Sequence, residues 1–187
     1  MGRPHRYLAA GAYYHVGTKG NDDAPIFQDN WDRAVFLHIL RRVRRRYRWR
    51  LHARCLLGNH YHVLVRIPDA RLSRALQRLH TEYSRWHNRR HGRRAHLFRA
   101  HAMTQEITSD AQLVAACRYL ALNPVAAGLV DDPLDWPWSS ARAHAGLEPP
   151  RIPLADSDLR AAFGGTDDWR KRYRSTIDEP DDEDTRA

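Results

Sequence analysis

The stretch Trp49-Arg50-Leu51-His52-Ala53-Arg54-Cys55-Leu56-Leu57-Gly58-Asn59-His60-Tyr61-His62-Val63-Leu64-Val65-Arg66-Ile67 reads as two strands around a turn. Trp49, Leu51, Ala53, Cys55 and Leu57 alternate with Arg50, His52, Arg54 and Leu56, which is the period of a half-buried strand. Gly58-Asn59 supplies turn chemistry, so His60 to Ile67 should run back antiparallel. Side chains two apart on a strand share a face, which sets His60 beside His62 with α-carbons roughly 7 Å apart. Tyr61, Val63, Val65 and Ile67 then turn the other way and offer apolar contact to helices.

Working outward, Pro68 stops the second of these strands. Leu72, Ala75, Leu76, Leu79, Tyr83 and Trp86 follow at helical spacing until Gly92 closes the run. Upstream, Phe36, Ile39, Leu40, Val43 and Tyr47 mark a helix that begins after Asp29 or Asn30 as N-cap. Gly11-Ala12-Tyr13-Tyr14-His15-Val16 is rich in strand formers and precedes a turn-prone segment, so it is expected as the first strand. Leu97 to Ile107 is expected as the fourth. Ser109-Asp110-Ala111-Gln112 is a capping box that opens a third helix, expected to reach about Leu122 and to end before Pro124. The order strand, helix, strand, strand, helix, strand predicts an α+β protein: a ferredoxin-like split βαβ antiparallel sheet with helices on one face, plus an additional C-terminal helix.

The chain has 187 residues, is 42% hydrophobic and carries a net charge of +9, which suits a globular domain and excludes a disordered or collagenous one. No apolar run of roughly 18 residues exists and the N-terminus has no apolar leader, so neither a membrane nor export is expected and the location should be cytoplasmic. Cys55 and Cys117 sit in apolar segments and are expected as buried, reduced thiols. Residues 1–150 hold 24 Lys+Arg against 12 Asp+Glu, whereas 151–187 hold 7 against 10. A body so cationic suits a polyanion, because neutralising phosphates releases condensed counterions. Arg41, Arg44, Arg45 and Arg48, interleaved with Tyr47 and Trp49, can track phosphates while an aromatic stacks on a base. Arg85, Arg89, Arg90, Arg93 and Arg94 form a second cluster suited to a hairpin stem. The Pro-rich segment Gly146 to Pro153 marks the end of one domain, 1–146. Residues 147–187 are expected as a linker, a short helical segment and an acidic disordered tail.

Two imidazoles on one strand face can chelate a divalent ion, although a His-x-His pair also occurs as plain polar residues on a solvated face. An ion such as Mg or Mn asks for oxygen donors as well. Tyr119 and Asn123 stand four apart on the third helix, on a face away from Leu113, Ala116, Cys117 and Leu120. If that helix crosses the histidine face, a phenol and an amide oxygen approach the imidazoles together; otherwise Tyr119 is a core or rim tyrosine with a hydrogen-bonded hydroxyl. A phenol is a poor nucleophile at neutral pH and needs a nearby cation or base. His80, His87 and His91 recur at helical spacing and read as surface or core histidines.

Leu56-Leu57-Gly58-Asn59 followed by His60-Tyr61-His62 resembles the HUH signature of single-tyrosine transposases. Arg118-Tyr119-Leu120-Ala121-Leu122-Asn123-Pro124-Val125, with Ala127-Gly128-Leu129-Val130 behind it, is similar to their tyrosine motif, and Asp135-Trp136-Pro137-Trp138-Ser139-Ser140 to their closing segment. From about Tyr7 to Gly146 the chain thus resembles the REP-associated tyrosine transposases and their insertion-sequence relatives. The resemblance implies nicking and strand transfer of single-stranded or hairpin DNA through a 5′-phosphotyrosine. It also implies Tyr119 as nucleophile, Mg or Mn held by His60, His62 and Asn123, and a monomer or homodimer. The chain departs from the family pattern at Leu57-Gly58-Asn59, Lys19-Gly20-Asn21 and Ala100-His101-Ala102, where Met-x-Asn, Arg-Gly-Asn and a Gly-Arg-Phe-type strand are usual. Two rivals fit the same residues less fully: a non-catalytic RRM-like nucleic-acid-binding module, and a metal-dependent phosphohydrolase that activates water.

Overall fold

The computed structural model describes residues 8–179; Met1 to Tyr7 and the acidic stretch from 180 onward lie outside the described residues. Strands β1 (Tyr13–Lys19), β2 (Arg50–Leu56), β3 (His60–Arg66) and β4 (Met103–Ile107) form one sheet in the order β2-β3-β1-β4, and every neighbouring pair is antiparallel. This is the split βαβ arrangement expected from the sequence. The first strand reaches three residues further than Val16, and the fourth starts later than Leu97: residues 98 and 99 touch Gly20 and Lys19 only through isolated backbone contacts, and a continuous ladder begins at Met103.

Helices α1 (Asn30–Tyr47) and α2 (Leu72–Arg90) cover one face of the sheet, and α3 (Asp110–Ala126) covers the other. Tyr61, Val63, Val65 and Ile67 pack with Phe36, Leu40, Val43, Leu79 and Tyr83 in the first layer. Ala53, Cys55 and Leu64 pack with Leu113, Ala116, Cys117 and Leu120 in the second. Each large apolar side chain so buried contributes about 1.5–3 kcal/mol, which is what holds the helices to the sheet.

The strict alternation expected along Trp49 to Leu57 breaks at one residue. Leu51 pairs with Val65 but Ala53 pairs with Leu64, so His52 is the extra residue of a bulge. Trp49 and Leu51 therefore join the α1–α2 layer, while Ala53, Cys55 and Leu57 face α3.

Caps act as the sequence suggests at α1, where Asp29 Oδ1 accepts from Asp32 N at 2.9 Å, and at α3, where Ser109 Oγ accepts from Gln112 N at 3.2 Å. Gly92, at φ +63°, closes α2. Pro124 does not end α3, contrary to expectation. It removes only the N–H that would reach back one turn, and Ala127 N and Leu129 N still bond to Asn123 and Pro124 carbonyls, so the last turn closes. Asn123 consequently stays helical, one turn beyond Tyr119.

The boundary expected at 146 does not mark where packing stops. After a short α4 (Ala141–His144), Ile152 enters the first layer. Helices α5 (Asp156–Ala162) and α6 (Trp169–Asp178) then bury Leu159, Phe163, Trp169, Tyr173 and Ile177 beside α3. Apolar residues spaced three or four apart in this acidic region carry that packing, a pattern that the bulk charge conceals. Among the described residues no helix is long and apolar enough to cross a membrane.

Candidate active site

The antiparallel register sets Lys19 opposite His60, Gly17 opposite His62 and His15 opposite Leu64. His60 and His62 thus point to the face that α3 crosses, with His15 beside them. The two rings lie 5.2 Å apart, centroid to centroid, nearly perpendicular. Tyr119 projects from α3 with its ring edge-on to His62 at 5.5 Å and to His15 at 5.6 Å, and it is 45% exposed. The phenol therefore faces solvent beside the imidazoles, not the core.

Hydrogen bonds orient each ring. Asn59 Nδ2 donates to the Asp23 carbonyl at 3.3 Å, which turns Asn59 Oδ1 toward His60 Nδ1 at 2.7 Å. His60 Nδ1 then carries the ring proton and Nε2 is left with a lone pair. That lone pair faces Asn123 Oδ1 at 3.4 Å, because Asn123 Nδ2 is occupied by the Tyr119 carbonyl at 3.3 Å. Two acceptors confronting one another is an arrangement that a cation between them relieves. His62 Nδ1 meets His15 Nε2 at 2.9 Å, which leaves His62 Nε2 uncommitted. Burial holds the imidazoles neutral: His62 is pushed down to about 3 by burial and then by its neighbours His15 and His60, His15 to about 4 by burial, and His60 also downward by burial. Neutral rings with their second nitrogens hydrogen-bonded are what metal ligation by histidine requires.

Gly17 makes this possible. A Cβ there would stand 2.8 Å from His62 Cε1 and Nδ1, so only glycine lets the ring lie across β1. Around the site opens a cleft of about 370 Å³, lined by His60, His62 and Tyr119 together with Lys19, Arg99 and His101. A second cleft of about 350 Å³ runs along His15, Gln105 and Gln112, and Tyr119 forms the wall between the two.

The structure brings His60, His62, Asn123 and Tyr119 together as expected, but it divides the arginines. Arg41, Arg44 and Arg45 lie in the last turns of α1 and Arg48 caps its C-terminus; the chain then leads directly to Arg50, at the end of the sheet away from His60, and α1 packs on the other face. They stand away from the site, because helix one carries the chain down the full length of the sheet. Arg85 and Arg94 line a cleft of about 510 Å³ that shares Arg99 with the cleft at the histidine pair. Arg89 lies in the last turn of α2 and Arg93 just past its end, neither of them among the residues that line this cleft, and Arg90 is engaged by Asp29 and Asp32. Sequence reading missed His15, Gly17 and Asn59. His15 was legible only as a polar residue in an apolar strand; its role depends on which residue of β3 it faces.

A sequence profile described as "Transposase IS200 like" matches residues 9–120, more than half of the chain. Among solved structures, "Structure of the REP associates tyrosine transposase bound to a REP hairpin" superposes with a TM-score of 0.66 at 19% identity, covering 80% of this chain and 89% of that one. No curated protein sequence matches. The profile ends just past the tyrosine that the geometry sets beside the histidine pair, and the chain belongs to the IS200-like transposase family.

Proposed function

We propose that this transposase cuts single-stranded or hairpin DNA with Tyr119 as nucleophile and holds the cut strand as a 5′-phosphotyrosine. The observation that carries this reading is the exposed Tyr119 ring edge-on to His62 and His15 in the wall of a cationic cleft. Oη forms a bond to the scissile phosphorus as the bond to the 3′-oxygen breaks; the phenolic proton leaves and the 3′-oxygen gains one. One phosphoester replaces another, so the released 3′-hydroxyl can reverse the step or be replaced by that of a second strand without an energy source.

His60, His62 and Asn123 would hold a divalent ion, Mg or Mn, and such an ion supplies neutralisation of the charge that develops on the phosphate oxygens. The chain's own residues do the remaining work. Asn59 and His15 fix the two rings by their Nδ1 atoms, and the Tyr119 carbonyl turns the Asn123 oxygen inward. Lys19 and Arg99 line the cleft and offer charge to the DNA backbone, Arg99 from an exposed ion pair with Asp23. The cleft through Arg85 and Arg94 continues from Arg99 and suits the stem of a hairpin, the kind of ligand held by the structural relative.

The test incubates the protein with hairpin-bearing single strands from its own genomic flanks, with Mg or Mn, and looks for a protein–DNA adduct on a denaturing gel. A covalent adduct lost in Tyr119→Phe supports the reading. Cleavage that persists in Tyr119→Phe would mean a water-activating hydrolase, and binding without cleavage across the whole substrate pool a non-catalytic module.

A further inference from the structure

On the far face of the sheet the first turn of α1 meets the last turn of α2. Asp32 is fully buried there. Its Oδ2 accepts from Gln28 N at 2.7 Å and its Oδ1 from Arg90 Nη1 at 2.5 Å, while His91 Nε2 stands 3.0 and 3.1 Å from the two oxygens. One helical turn before His91, and hence on the same side of α2, lies His87. It too is fully buried, with its ring centroid 4.4 Å from that of His91, and neither of its nitrogens has a hydrogen-bond partner. A desolvated imidazole with two idle nitrogens beside a carboxylate is incomplete as a core residue, since buried polar atoms are nearly always paired.

We infer that Asp32, His87 and His91 form a zinc site, separate from the catalytic cleft, that pins the start of α1 to the end of α2. One ligand atom from each of the three lies within 4.8 Å of the others. Zn–N bonds of about 2.0–2.1 Å and Zn–O bonds of about 2.0–2.2 Å at a tetrahedral angle separate nitrogen and oxygen by about 3.3 Å. His91 and Asp32 stand only a few tenths of an ångström closer than that, so the ion takes the place of the proton now between them. Rotation of the His87 ring brings in the third ligand, and water fills the fourth position. Two imidazoles and one carboxylate favour zinc over Mg, which prefers an all-oxygen shell. Arg90 does not compete for the site as a free cation, because Asp29 holds it in a two-point ion pair at 2.6 and 2.9 Å. With Gln28 N it orients the Asp32 carboxylate as hydrogen bonds around a metal ligand do. The consequence reaches the DNA side: α2 ends here and leads into the segment from Arg94 to Arg99 that lines the 510 Å³ cleft.

The experiment uses the full chain carrying His60→Ala and His62→Ala, which silences the catalytic ligands, stripped of metal and titrated with zinc and then cobalt. One zinc per chain, a tetrahedral cobalt spectrum and a zinc-dependent rise in Tm are expected. Adding His91→Ala or His87→Leu should abolish all three. His87→Leu removes an unpaired polar group and fills its space, so it is expected to fold at least as well without metal, which circular dichroism checks. Absence of zinc uptake by the folded double variant, or zinc retained after either added substitution, would overturn the inference.

Discussion

Two histidine clusters occupy opposite faces of the same sheet, and their surroundings differ. His15, His60 and His62 spread across β1 and β3 at strand spacing, beside an exposed phenol, an amide oxygen and a cleft of about 370 Å³. No carboxylate is bonded to any of the three rings among the described residues, so the cluster presents neutral donors only, and an ion held there would keep its charge for a phosphate. His87 and His91 lie one helical turn apart with tilted rings, beside a fully buried carboxylate that Arg90 already holds, so this cluster sits inside a helix junction and opens onto no substrate cleft. The same side chain borders an open cleft in one place and a packed helix junction in the other because the backbone under it differs in period and in what it opens onto.

The largest effect expected is on chemistry. Tyr119→Phe should lower adduct formation with hairpin DNA by roughly 10³-fold or more while leaving divalent-ion binding and Tm unchanged, since the ring is nearly half exposed. Adduct yield and calorimetry on the same preparation check both halves. On the other cluster the effect is on stability. Asp32→Asn strips the charge from a fully buried carboxylate that faces Arg90 and His91, and is expected to cost about 3 kcal/mol in urea unfolding.

Smaller effects separate ligands from their supports. Gly17→Ala would set a methyl against the His62 ring, and His15→Ala would free His62 Nδ1; each is expected to weaken Mn binding at the catalytic site about 10–100-fold, read by titration, with the fold intact. Zinc binding at the other cluster should be untouched by both.

The smallest effect is the pH slope of metal-free stability. His15, His52 and His87 are each held down to about 4, foremost by burial, so the unfolded chain takes up protons before the folded one does. Their contribution is complete above about pH 6.5 and declines as the pH falls toward 4, at most by about 1.4 kcal/mol per pH unit for each group. Urea unfolding at several pH values should show this decline, and His87→Leu should make it shallower by one group's share.

Much of this was legible before any coordinates. The hairpin of β2 and β3, the caps at Asp29 and Ser109, and the shared face of His60 and His62 follow from local periodicity and hydrogen-bonding chemistry. The pairing of Tyr119 with Asn123 follows from the helical repeat. What was illegible depends on residues far apart in the chain. The bulge at His52 shows only against β3, and the confrontation of His60 with Asn123 only when α3 crosses the sheet. The remoteness of Arg41 to Arg48 appears only once α1 is laid along the sheet, since charge density alone does not say which end of a helix a ligand reaches.

The order of amino acids by itself determined the elements, the face each side chain would take and the set of chemically competent groups, because those depend on steric and hydrogen-bonding rules that act over a few residues. Tertiary structure alone decided which groups meet. It set Gly17 under the His62 ring, His15 on its nitrogen and Asp32 against a helix that ends sixty residues later. Burial of apolar surface selects one packing of sheet and helices, and contacts between distant residues exist only in that packing.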